Sequence, residues 1–151
     1  RADEAFGREF ISQAVDLLAK GDPEGVSRLY GELIETIREG RLPVEQFARR
    51  ERITGKTFSS SQKKRSAAVA KGVKVGTFIT VYERNTGELG LVEDYAGDED
   101  RDYLLDKLYK FANRLREAFG EDFDRLFPKP GMRAQAAKNA EAAGQQTFDL
   151  F

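Results

Sequence analysis

The 151 residues carry 25 lysines and arginines against 26 aspartates and glutamates, with 40% hydrophobic and 11% aromatic residues; this excludes a disordered chain and suits one domain able to bury a core. Cysteine and histidine are both absent, which excludes a disulfide framework, a thiolate or imidazole zinc site and a histidine general base. No apolar run is long enough to span a bilayer, so no membrane partner is expected.

In chain order, the first predicted element is a helix over roughly Asp3 to Lys20, with Phe10, Ile11, Ala14, Val15 and Leu18 on one face. Gly21 ends it. Asp22-Pro23-Glu24 then opens a second helix, with Asp22 as cap, Pro23 in the first turn and Glu24 facing the positive end of the dipole. Val26, Leu29, Tyr30, Leu33, Ile34 and Ile37 keep helical spacing up to Gly40, so the two helices form a hairpin. After Leu42-Pro43 the period changes. QFARRERIT suits an exposed strand or extended segment, its long basic side chains interleaved with Phe47 and Ile53. Ser59, Ser60 and Ser61 then predict a loop and helix cap, followed by a short helix that stops at Gly72. Phe78, Ile79, Val81 and Tyr82 have strand chemistry, RNTGE is a hairpin turn, and LGLVEDY is the return strand, with Glu93-Asp94 at its solvent end.

GDEDRDYLLDKLYKFANRLREAFGED predicts a long helix with an apolar stripe of Leu104, Leu108, Phe111, Leu115 and Phe119. Asp98 to Asp102 load its N-terminal end with negative charge, and Arg114 and Arg116 sit towards its C-terminal end. FDRLFPKPG adds a last turn that stops at Pro128 and Pro130. The expected fold is α+β: an N-terminal helical hairpin, a small antiparallel strand region, a long C-terminal helix and a disordered tail. Residues 1–128 are expected to form the body, and 129–151 a flexible arm.

The near-zero net charge hides two opposed halves. From Arg49 to Lys74 the cations Arg49, Arg50, Arg52, Lys56, Lys63, Lys64, Arg65, Lys71 and Lys74 face a single acid, Glu51. From Glu83 to Asp106 acids dominate. Such a one-sided basic run suits phosphate contacts, in which cations neutralise and serine hydroxyls fix register, although surface lysines on a solvated face give the same pattern. The acidic run Asp98-Glu99-Asp100, with Asp102 and Asp106, matches no metal-loop spacing; helix N-terminal charge accounts for it, and no metal site is expected. No nucleophile–base pair stands out, so no catalytic residue is assigned.

The terminal QTFDLF sets Gln146, Phe148, Leu150 and Phe151 at the end of a polar, alanine-rich stretch. Large apolar groups on a loose end suit an extended peptide that docks in a partner's groove, disordered until the partner arrives; the alternative is that the segment packs on its own domain.

The stretch LPVEQFARRERITGKTF, followed by SAAVAKGVKVGTFITVYERNTGELGLVEDYAGDEDRDYLLDKLYKFANRLREAFG, resembles the thumb and C-terminal region of family B DNA polymerases. The likeness rests on the order of features: hairpin, Leu-Pro, a basic strand ending Ile53-Thr54, a basic helix ending Lys71-Gly72, a strand, and a terminal helix bearing Tyr103. The tail is similar to the bacterial sliding-clamp-binding motif Gln-x-Leu-x-Leu-Phe, with Phe148 in place of a leucine. A second register beginning at Gln145 is similar to the archaeal and eukaryotic clamp motif but lacks its second terminal aromatic. Between Ile53-Thr54 and the next helix the family has a longer segment with a proline, a tyrosine and a Pro-His pair. Here GKTFSSSQKKR stands there, with Phe58 at the tyrosine's place.

The resemblance implies that Arg49, Arg50, Arg52, Lys56, Lys63, Lys64 and Arg65 grip the backbone of primer–template duplex, and that Gln146, Phe148, Leu150 and Phe151 bind the clamp. Palm motifs, fingers and exonuclease are absent, and the chain opens at Arg1, so it is expected to be a C-terminal fragment. The fragment would have no cofactor and no catalytic site of its own. Its parent would be a Mg2+-dependent DNA-directed DNA polymerase in the bacterial cytoplasm, associated with the nucleoid and serving replication or repair. The partners implied are double-stranded DNA, the sliding clamp and the remainder of the polymerase chain. Two other readings stay open: a free-standing DNA- or clamp-binding adaptor without polymerase activity, and an enzyme working through carboxylates.

Overall fold

The computed structural model describes residues 4–53 and 76–130. It is an α+β fold. In chain order the elements are α1 (Ala5–Ala19), α2 (Pro23–Arg38), a single turn α3 (Val44–Phe47), β1 (Arg49–Arg52), β2 (Phe78–Glu83), β3 (Leu89–Leu91), a 3-10 turn (Val92–Asp94), α4 (Arg101–Asn113), and the short helices α5 (Arg116–Phe119) and α6 (Phe123–Leu126). Among the described residues no helix is long and apolar enough to cross a membrane.

The helical hairpin forms where local chemistry dictates. The Asp22 carboxylate accepts a hydrogen bond from the Gly25 amide at 2.9 Å and so satisfies one of the free N–H groups that open α2. Val26, Tyr30, Ile34 and Ile37 then face the core. On α1 the buried face is Phe6, Gly7, Phe10 and Ala14, rotated from the predicted stripe. Val15 is 51% exposed, and Ile11 and Leu18 lie at the margin. The rotation follows from α4, which packs against both helices of the hairpin. Phe111 of α4 lies so close to Gly7 that a Cβ there would clash with its ring, and Phe6 meets that ring edge-on.

The predicted long C-terminal helix is interrupted. Regular α-helix stops at Asn113, and α5, a 3-10 turn and α6 follow as separate short pieces. The break lets the chain double back onto α2. Phe119 and Phe123 pack against Phe127 at ring-centroid distances of 4.8 and 5.0 Å, and Phe127 meets Tyr30 at 5.2 Å. Two α2 hydroxyls fasten this end: Ser27 donates to the Leu126 carbonyl and Tyr30 to the Pro128 carbonyl, each at 2.8 Å. A straight helix would carry those aromatics away from the core. Their burial against Tyr30 is worth more than a few further intrahelical hydrogen bonds.

The sheet is antiparallel in the order β1-β2-β3. Arg49 pairs with Val81, Arg50 with Thr80, Glu51 with Ile79 and Arg52 with Phe78. RNTGE turns the β2–β3 hairpin as expected, with Arg84 N–H bonded to the Glu88 carbonyl at 2.8 Å. Two strand expectations are corrected. In QFARRERIT, Gln46 and Phe47 belong to α3, and the strand begins at Arg49, because the helical turn lets Phe47 bury its ring against Tyr82 and Tyr95. The return strand LGLVEDY keeps ladder geometry only to Leu91, and Val92–Asp94 form the 3-10 turn.

Candidate nucleic-acid interface

Successive residues of a strand point to opposite faces of a sheet, so the register sorts the basic strand β1 into two sets. Arg49 and Glu51 share the inner face with Val81 and Glu83; Arg50 and Arg52 share the outer face with Thr80 and Phe78.

Arg49 is buried, at 5% exposure, and each nitrogen of its guanidinium donates a hydrogen bond. Nη2 donates to Glu83 at 2.7 Å, Nε to Glu51 at 3.1 Å and Nη1 to the Tyr103 hydroxyl at 3.4 Å. That hydroxyl in turn donates to Glu4 at 2.9 Å, and Lys107 approaches the other oxygen of Glu4 at 3.7 Å. Burial works against the charge on Arg49, but the carboxylates of Glu83 and Glu51 outweigh it and hold its pKa above the ordinary arginine value. Burial, reinforced by the charge of Glu4, likewise raises the Tyr103 hydroxyl. The exposure expected of the basic strand is thus corrected at Arg49, which ties the sheet to α4 and the start of α1.

Arg50 and Arg52 are exposed, and neither has an ion-pair partner among the described residues. The Arg50 guanidinium lies 4.2 Å from the centroid of the Phe78 ring, and Phe78 is itself 51% exposed. Arg52 is directly opposite Phe78 in the register. At this end of the sheet Ile53 N–H bonds to Thr77 and Gly76 N–H to Ile53, each at 2.8 Å. The chain therefore leaves for residues 54–75 and returns from them at one point. Lys56, Lys63, Lys64 and Arg65 belong to that connection and lie outside the described residues, as do the serines and short helix expected there. Gln146, Phe148, Leu150 and Phe151 lie outside them too, with the rest of the arm.

The far end of the outer face is closed. Tyr82 is buried beneath Tyr95 and Phe47, and its hydroxyl donates to Asp98. Arg84 reaches the same carboxylate at 2.8 Å. Burial disfavours the charge of Asp98, yet these two hydrogen bonds outweigh it and set its pKa below the usual carboxylate value. Glu99 is buried and accepts from Tyr95, whose hydroxyl is pushed up to about 12 by burial and then by that carboxylate. Asp100 caps α4 through the Tyr103 amide at 3.0 Å, and Asp106 pairs with Lys110. The acids of this run are thus spread over distinct structural tasks, and no group of three among the described residues could hold a metal ion.

Two features of this surface escape sequence reasoning. Strand chemistry alone makes Phe78 an ordinary sheet residue, although its place at the strand's start beside two arginines makes it a surface aromatic. The burial of Arg49 has a signal in Glu51, the one acid of the basic run, set two residues away and therefore on the same face. No protein-family model matches the sequence, and no curated protein does.

Proposed function

We propose that this chain is a non-catalytic, duplex-gripping thumb region of a family B DNA polymerase, tethered to a sliding clamp through Gln146, Phe148, Leu150 and Phe151. The observation that carries the reading is the pair Arg50 and Arg52, two exposed guanidiniums without ion-pair partners among the described residues, on one face of the sheet. They stand where the chain departs for residues 54–75, a stretch whose charged residues are all lysine or arginine. Phosphate contacts need cations that are free of carboxylates and close together, as Arg50 and Arg52 are among the described residues of this face. The remaining cation of the strand, Arg49, serves the fold. The parent polymerase would supply the Mg2+-dependent chemistry.

Salt titration of duplex binding by the full chain tests the reading. Each phosphate neutralised contributes a slope of about −0.9 to log affinity against log salt, and the double variant Arg50→Ala/Arg52→Ala should flatten that slope by about 2. Removal of residues 146–151 should abolish binding to a bacterial sliding clamp and leave duplex affinity unchanged. Failure to bind duplex at low salt, or a binding constant insensitive to salt, would overturn the thumb reading.

A further inference from the structure

An exposed phenylalanine at one strand position is ordinary by itself. Phe78 differs in its surroundings. The Arg50 guanidinium covers its ring at 4.2 Å, Arg52 stands opposite in the register, and Thr80 completes the outer face with a half-buried hydroxyl side chain. These side chains make an aromatic–guanidinium stack with a second cation beside it and no carboxylate among them. Duplex DNA offers such a surface its phosphates but not its bases, whose faces are stacked within the helix. An unpaired strand offers both, since a base freed from its neighbours can lie on an aromatic ring or a guanidinium plane while its phosphate meets a cation.

We propose that Phe78 and Arg50 form a stacking platform for an unpaired base of single-stranded DNA, with Arg52 holding the adjacent phosphate. The inference rests on the duplex-binding reading above for the role of the cations, and extends it to a strand that is not base-paired. The occupant follows from charge complementarity together with the exposed ring: the cations require a polyanion, and the ring requires a polyanion with free aromatic faces.

The test uses the full chain, a labelled oligo-dT and a blunt duplex at the same salt. Phe78→Ala should weaken oligo-dT binding about tenfold, within the range for loss of one stacked base, and change duplex binding by less than about twofold. The sequence contains no tryptophan, so Phe78→Trp places a single reporter at the site. It should retain oligo-dT affinity, and its emission should be quenched by oligo-dT and not by the duplex. Equal losses on both ligands with Phe78→Ala, or no loss on oligo-dT, would overturn the platform. So would indole emission from the Phe78→Trp variant that is already blue-shifted and shielded from acrylamide in the free protein, because the position would then be covered. Arg50→Ala/Arg52→Ala reports separately on the cations: if it leaves duplex binding intact, the duplex reading fails whatever Phe78 does.

Discussion

Arg49 and Arg50 are adjacent and chemically identical, yet the first lies between two carboxylates at 5% exposure and the second stands in solvent over a phenylalanine ring. The inner face of the sheet supplies Glu83 and Glu51, and α4 supplies the Tyr103 hydroxyl, to the guanidinium that points there. The outer face supplies an aromatic ring and a second cation. The difference teaches that a run of basic residues on a strand is two populations. Arg49 is committed to the fold, and Arg50 and Arg52 stand in solvent.

The comparison is broken most severely at Arg49. Replacing it with alanine removes a buried guanidinium and its three hydrogen bonds, and should cost about 3 kcal/mol in urea unfolding, a large part of a small domain's stability. A loss no larger than that at Arg50 would show that the buried network contributes nothing particular. A smaller effect is expected at Asp98, which anchors the closed end of the outer face. Its pKa is lowered in the fold, so the unfolded chain binds the proton more tightly, and the carboxylate contributes stability above the ordinary carboxylate range that is lost as pH falls through the folded value. Asp98→Asn should therefore lower stability at neutral pH by on the order of 1 kcal/mol and flatten the acid limb between about pH 4 and the lowered value. Unfolding curves measured across that range would show it, and an unchanged acid limb would refute it. The smallest change in stability belongs to Arg50→Ala, within about 0.5 kcal/mol, because a solvated guanidinium over a half-exposed ring adds little to the fold. That variant sharpens the contrast if unfolding is unmoved while DNA binding weakens.

Much of the helical architecture is legible in order because its causes are local. Gly21, Asp22 and Pro23 stop one helix and start the next within a few residues, and the Asp22 cap forms as expected. The expected long C-terminal helix fails at Asn113, since a continuous apolar stripe cannot report that Phe119, Phe123 and Phe127 gain more by folding back on Tyr30. Of the basic strand, Arg50 and Arg52 stand exposed as expected, but Arg49 does not join them, because charge counted along the chain ignores the face on which each residue lies. Phe78 is illegible for a related reason: strand propensity says nothing about which face has a cover.

By itself the sequence determined the helical hairpin, the acidic start of α4, the β2–β3 turn and the separation of basic and acidic halves. All of these arise from contacts or charges a few residues apart. Only the tertiary structure decided which arginine is buried, which phenylalanine is exposed and where the last helix breaks. Those outcomes depend on partners distant in the chain: Glu83 and Tyr103 for Arg49, the register opposite Arg52 for Phe78, and Tyr30 for the terminal aromatics. Burial and pairing are properties of the assembled neighbours, and a one-residue slip of β1 against β2 would exchange the two arginines' fates without altering a single letter.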